Sequence, residues 1–282
     1  MTDPLISVDE LAGLLATGDA KVADTRWYLA EPEQGLAAYA EGHIPGAVYL
    51  HLETQLSGPI GAGRHPLPTR SDFAATMGSL GFGNDDLIVA YDDRGGAIAA
   101  RLWWMLRDIG HDRVRVLDGG LPAWVAAGHA LESATAARPV ATMTVRPATT
   151  RTIDREALAE SLGELTLIDS RSAERYRGDQ EPIDPIGGHI PTAVNIPYEE
   201  NIDTEGRFLP FRMLSARYRA VGAHGDDTVV YCGSGVTACH AALAMVVAGL
   251  GEPILYPGSW SDWSSAEMPF VTGDEPGEVL PY

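Results

Sequence analysis

Short apolar runs rich in β-branched residues alternate along this chain with stretches of helical period. Leu165-Thr166-Leu167-Ile168-Asp169 and Thr228-Val229-Val230-Tyr231 are bounded by turn residues, as strands buried on both faces of a parallel sheet are. Thr237 to Gly249 is apolar over a helical length and stops at a glycine, which predicts a helix with a glycine at its C-terminal end. Ser7-Val8-Asp9-Glu10, ahead of Leu11, Leu14 and Leu15, predicts a capped helix start, with Ser7 as cap and Glu10 three residues on. Strand and helix patterns in alternation predict an α/β fold built on parallel sheet.

The pattern runs through twice. Gly42-His43-Ile44-Pro45-Gly46-Ala47-Val48 returns as Gly188-His189-Ile190-Pro191-Thr192-Ala193-Val194. Upstream, Ala23-Asp24-Thr25-Arg26 matches Ile168-Asp169-Ser170-Arg171. Downstream, Ile88-Val89-Ala90-Tyr91-Asp92 matches Thr228-Val229-Val230-Tyr231-Cys232, and Gly119 to Trp124 resembles Pro257 to Trp263. Four blocks in one order at nearly constant spacing mark a duplication. The stretch from Glu132 to Thr150 is poor in bulky apolar residues and rich in Ala, Thr and Pro, as an extended linker is. The expected division is a first domain over 1–135, a linker over 136–150 and a second domain over 151–282.

Composition narrows the function classes. A formal net charge of −19 repels phosphate backbones and anionic lipid surfaces, so neither nucleic acid nor membrane is an expected partner. The start, Met1-Thr2-Asp3-Pro4-Leu5, lacks a basic segment ahead of a long apolar run, so no signal peptide is expected. The two cysteines, Cys232 and Cys239, cannot staple 282 residues and suit a reducing cytoplasm. His240 follows Cys239 with no second ligand pair, so neither a metal nor another cofactor is expected.

Candidate chemistry lies in Tyr231-Cys232-Gly233-Ser234-Gly235-Val236-Thr237-Ala238, where a strand meets a helix. Two glycines let the backbone curl so that several N–H groups converge, and the helix N-terminus behind them adds positive potential. Such a cradle favours the thiolate of a cysteine at its head. The hydroxyls of Ser234 and Thr237 add donors. A buried cysteine at a strand end is the plainer reading of the same residues. The repeat bears on that choice, because the matching residue in the first copy is Asp92, followed by Asp93-Arg94-Gly95-Gly96. One copy keeps a nucleophile and the other lacks it.

The duplication, the two His-Ile-Pro blocks and Cys232-Gly233-Ser234-Gly235-Val236-Thr237-Ala238 together resemble the tandem-rhodanese sulfurtransferases, over nearly the whole chain. The resemblance implies two tandem rhodanese-like domains, each a parallel sheet flanked by helices, with only the second catalytic. It implies that Cys232 takes sulfur from a small-molecule donor as a persulfide and passes it to a thiol acceptor, such as a thioredoxin-like protein, or to cyanide. The Cys-Gly-Ser-Gly-Val-Thr loop is the version associated with 3-mercaptopyruvate as donor. Thiosulfate-preferring members carry a basic loop, whereas Gly233, Ser234 and Gly235 are uncharged. The N–H groups of Gly233, Gly235, Val236 and Thr237 would then stabilise the outer sulfur of the persulfide.

The resemblance also implies supporting residues. Arg175 matches the arginine that holds the donor carboxylate, a group that a guanidinium fits bidentately. Animal relatives carry a second arginine further on, where this chain reads Glu181-Pro182-Ile183-Asp184-Pro185. Arg171, beside Asp169, takes a structural pairing role. A serine, histidine and acid relay would fall on Ser234, His43 and an acid near residue 33, where Glu31, Glu33 and Gln34 stand. His43 has a second reading, as a structural residue tying its His-Ile-Pro turn in the way expected of His189. Tyr256, Trp260 and Trp263 are expected to pack, and Cys239 to be a small core residue.

Other activities remain open to different degrees. Cysteine phosphatases of this fold need an arginine at the sixth position after the cysteine, where this chain has Ala238. A thiosulfate:cyanide sulfurtransferase and a non-enzymatic persulfide carrier or regulatory module both keep Cys232 and stand as alternatives.

Overall fold

Two five-stranded sheets, every strand pairing parallel, carry the residues described by the computed structural model, which are 3–59, 61–134 and 138–279. The first sheet contains β1 (Leu5–Ile6), β2 (Lys21–Asp24), β3 (Val48–Tyr49), β4 (Ile88–Tyr91) and β5 (Val114–Leu117), in the order β1-β5-β4-β2-β3. The second contains β6 (Arg151–Thr152), β7 (Thr166–Asp169), β8 (Val194–Asn195), β9 (Thr228–Tyr231) and β10 (Ile254–Leu255), in the order β6-β10-β9-β7-β8. The two orders are identical, so the repeat is one topology built twice. Register repeats as well: Asp24 pairs with Tyr91 as Asp169 pairs with Tyr231.

The chain divides into two units. One comprises Met1–Gly58, Pro68–Thr149 and Ile202–Phe208; the other comprises Pro59–Leu67, Thr150–Asn201 and Leu209–Tyr282. A single cut in the sequence does not describe this division, because two short segments fold outside their own half. Residues 135–137, where the first domain was expected to end and the linker to begin, lie outside the described residues.

Local chemistry accounts for the elements. Ser7 accepts the Glu10 N–H at 3.3 Å and caps the Val8–Thr17 helix, as the Ser-x-x-Glu pattern predicts. The Thr237–Val247 helix is followed by Gly249 at φ +66°. At the end of β2, Arg26 pairs with Asp24 and donates to the Gly42 carbonyl; at the end of β7, Arg171 pairs with Asp169 and donates to the Gly188 carbonyl. Arg171 therefore has the pairing role expected of it.

Each unit has its own core. Ile6, Leu11, Val22, Val89, Tyr91 and Trp124 fill the first, and Leu158, Leu167, Val229, Tyr231, Trp260 and Trp263 fill the second. Trp260 and Trp263 are wholly buried and donate their indole N–H groups to the Ile186 and Pro269 carbonyls. They and Tyr256 pack, as expected, and truncating either tryptophan to alanine costs about 3–5 kcal/mol. Among the described residues no helix is long and apolar enough to cross a membrane, and no group of three or more His, Cys, Asp or Glu could hold a metal ion.

Candidate active site

Cys232 is the first residue after β9, the middle strand of the second sheet. Reactive groups gather at this edge of a parallel sheet because strand ends and helix starts meet there. From Cys232 the chain turns through Gly233, Ser234, Gly235 and Val236 into the Thr237–Val247 helix. Gly235 has φ +74°, and a Cβ there would lie 2.3 Å from the Pro257 carbonyl oxygen, so only glycine fits.

The segment after β10 ties the loop down. The Cys232 N–H donates to Ser259 Oγ at 3.1 Å, and the Trp260 and Ser261 N–H groups donate to the Cys232 and Gly233 carbonyls at 2.9 Å each. Cys232 is 2% exposed. Cys239 is wholly buried on the following helix, with its thiol 3.4 Å from the Gly235 carbonyl, consistent with a core role.

The first unit shows what such a loop holds. Asp92 follows β4, the middle strand of its sheet, as Cys232 follows β9. Its Oδ1 accepts the N–H groups of Arg94 and Gly96 at 2.8 and 2.9 Å, and its Oδ2 those of Ile98 and Ala99 at 2.7 and 2.9 Å. Four backbone donors converge there on one buried anion.

Ser234 pairs with a histidine that the sequence did not mark. Its Oγ lies 2.8 Å from Nδ1 of His65, and both residues belong to the second unit. His43 is wholly buried in the first unit, with Nδ1 2.8 Å from the Tyr39 carbonyl oxygen and its ring stacked on Tyr39 at 3.9 Å. His189 repeats that arrangement on Tyr176, at 2.9 Å and 3.7 Å. The repeated histidine thus ties its turn in both copies. Glu33, one of the acids near the relay position, stands just ahead of the Gln34–Glu41 helix of the first unit and makes no side-chain capping bond among the described residues.

Arg175 does reach the loop. A Cβ on Gly233 would lie 3.2 Å from Arg175 Nη1, and 2.9 Å from Nη2 of a second arginine, Arg64. Asp184 bonds both: its Oδ1 to Arg64 Nη1, and its Oδ2 to Arg175 Nη2 at 3.1 Å. Glu181 takes the other edge of Arg175, at 3.0 Å from Nε and 2.8 Å from Nη2. Desolvation pushes the Asp184 carboxyl above its ordinary value, against the pull of Arg64 and Arg175.

The rhodanese-like domain pattern matches residues 7–127 and again 154–266. The chain belongs to that family. A probable 3-mercaptopyruvate sulfurtransferase from Pseudomonas aeruginosa is 43% identical over 279 residues, which span 96% of this chain and 98% of the relative. A putative thiosulfate sulfurtransferase, SseB, from Mycobacterium tuberculosis is 43% identical over 268 residues, spanning 93% and 94%. Among solved structures, the 3-mercaptopyruvate sulfurtransferase from Leishmania major superposes with a TM-score of 0.81 at 32% identity, covering 93% of this chain and 74% of that one. The expected fold, two tandem rhodanese-like domains each with a parallel sheet flanked by helices, is therefore correct.

Arg64 and His65 of this tandem rhodanese escaped the sequence reading. They follow Gly61-Ala62-Gly63 in a segment with no helix or strand, so no periodicity marks them. One signal was present. Gly63-Arg64 matches Gly206-Arg207 at the spacing of the other repeat blocks, and 59–67 and 202–208 are the two segments that fold outside their own half.

Proposed function

We propose that this tandem rhodanese is a sulfurtransferase that carries sulfane sulfur on Cys232, with 3-mercaptopyruvate as the preferred donor. The observation that carries the reading is the convergence of the Ser234–His65 pair and two guanidiniums on the loop headed by Cys232. Mercaptopyruvate is a monoanion at neutral pH, because its carboxylate is ionised and its thiol is largely not.

Its carboxylate is held by Arg175 and Arg64, which points its sulfur at Cys232. The Cys232 thiolate forms an S–S bond to that sulfur as the donor's C–S bond breaks. The electron pair passes to carbon as the enolate of pyruvate, and the donor's thiol proton ends on that carbon. The Ser234 hydroxyl and His65 imidazole are the groups placed to carry the proton. Pyruvate leaves, and a Cys232 persulfide anion remains.

The N–H groups of Gly233, Gly235, Val236 and Thr237 receive that anion. The four N–H bonds to Asp92 in the first unit support this role, since the same topology there stabilises a negative charge. An acceptor thiol then takes the outer sulfur and leaves its proton on it, returning Cys232 as thiolate; cyanide takes it as thiocyanate. A thioredoxin-like protein suits the thiol role, and two free cysteines suit work in the cytoplasm.

A second donor reading has its own support. The loop lacks the cations that thiosulfate needs, yet Arg64 and Arg175 bring two to Gly233 from outside it. Steady-state transfer from both donors to cyanide and to dithiothreitol decides between them. Preference for mercaptopyruvate is the expected result; preference for thiosulfate keeps Cys232 as nucleophile and overturns the donor assignment. Failure of both donors leaves the carrier module.

A further inference from the structure

The two arginines at Gly233 are arranged alike. Arg64 gives Nη1 to Asp184 and turns Nη2 toward Gly233; Arg175 gives Nε and Nη2 to Glu181 and Asp184 and turns Nη1 toward Gly233. Neither of the edges turned to Gly233 has a protein hydrogen bond among the described residues. Each guanidinium is therefore bonded to a carboxylate on one side and presents a donor edge beside the nucleophile on the other. The carboxylates are buried, with 3% of the Asp184 side chain exposed and 5% of Glu181, whereas Arg64 and Arg175 keep 27% and 18%. Behind them Arg171 contacts Glu181 at 3.3 Å and pairs with Asp169 at 2.5 Å. Arg64, Arg171 and Arg175 stand against Asp169, Glu181 and Asp184, a formally neutral set.

Two donor edges backed by compensated charge distinguish ligands by charge. A single carboxylate gains short hydrogen bonds from both edges and meets little net field from the set behind them. A dianion brings a second charge for which no uncompensated cation remains. Buried Asp184 repels that charge through a medium that screens poorly. Asp184 differs from Glu181 in touching both arginines, so it sets the field at both edges together.

We propose that Asp184 couples Arg64 to Arg175 as a charge filter that admits a singly charged donor to Cys232 and disfavours a dianion. The proposal rests on the sulfurtransferase reading above and deepens it. Asp184 acts through the arginines as a specificity-determining residue, without touching the donor.

The test compares wild type, Asp184→Asn and Arg64→Gln with mercaptopyruvate and thiosulfate, cyanide being the acceptor throughout. Asparagine keeps the shape of Asp184 and removes its charge. It should raise thiosulfate kcat/KM relative to mercaptopyruvate by about tenfold, equivalent to ~1.4 kcal/mol, mainly through the thiosulfate KM. Arg64→Gln leaves Asp184 less compensated. It should weaken both donors and thiosulfate more, so the ratio moves the opposite way.

A merely structural Asp184 would lower both donors alike. An unchanged ratio in Asp184→Asn, with mercaptopyruvate turnover intact, overturns the filter and leaves the Cys232 reading standing. If Asp184→Asn does not fold, Arg64→Gln decides alone, and an unchanged ratio there overturns the filter. Wild type that takes sulfur from neither donor overturns the sulfurtransferase reading and the filter with it.

Discussion

Ser234 Oγ and His65 Nδ1 lie 2.8 Å apart, although 169 positions separate the two residues in the chain. The hydroxyl is two residues from Cys232, so Ser234 ties the His65 imidazole to the loop that Cys232 heads. His65→Gln and Ser234→Ala should each lower kcat with mercaptopyruvate, by about 10²-fold if the pair moves the proton. His43→Gln should keep the wild-type kcat and lose about 1–3 kcal/mol of stability, because a buried ring bonded to the Tyr39 carbonyl is replaced. Steady-state kinetics and thermal unfolding on the three variants separate the two histidines. A kcat loss confined to His43→Gln would contradict the assignment.

Asp92 stands in the first sheet where Cys232 stands in the second, and accepts four backbone N–H groups. Asp92→Ala leaves those donors without their anion, in a site that is 1% exposed. Loss of charge-assisted bonds of this kind should cost about 3–5 kcal/mol. Calorimetry is expected to show a lower Tm with Cys232 chemistry retained. An unchanged Tm would mean that water satisfies the loop equally well.

Thr192 occupies the place that Gly46 fills in the first copy. Gly46 has φ +74° and Thr192 φ +72°, a conformation that a β-branched residue adopts only under strain. The Thr192 hydroxyl is also buried with no hydrogen-bond partner among the described residues. Thr192→Gly should therefore raise stability by about 1 kcal/mol, against the usual direction of a glycine substitution. Chemical denaturation of wild type and variant measures it; a loss of stability would contradict the strain.

Burial pushes the His189 imidazole below its ordinary value of 6.5. The unfolded chain then binds the proton more readily than the folded one. The stability conferred by His189 is complete above pH 6.5 and is lost as pH falls from there toward the lowered folded value. Asp118, Asp184 and Glu199, raised by burial, act in the opposite sense at lower pH, so the comparison has to be with a variant. His189→Gln should have a lower Tm at neutral pH and a shallower fall on acidification to about pH 5. Parallel curves would exclude His189 as the titrating group.

Repeats made the fold legible and drew attention to the residues that both copies share. The same strand order twice follows from four matching blocks, and the apolar run from Thr237 gave its helix because propensity and burial agree there. Yet duplication preserves what both copies need. His43 recurs as His189 because both turns need a ring stacked on a tyrosine, and recurrence of that kind marks structure. The proposed chemistry lies where the copies differ, at Cys232 against Asp92. Arg64 and His65 were hidden because their positions come from three-dimensional docking of an irregular segment, held by the Arg64 N–H on Ser261 Oγ at 3.1 Å. The role of Asp184 was illegible because a carboxylate where an arginine was sought reads as a loss until both of its arginine partners are seen.

The most direct test of the central claim is the mass of the protein after mercaptopyruvate is added without an acceptor. The account predicts a gain of one sulfur atom, located on the peptide that contains Cys232, released by cyanide and absent in Cys232→Ser. Sulfur found on Cys239, or transfer that persists in Cys232→Ser, would contradict it.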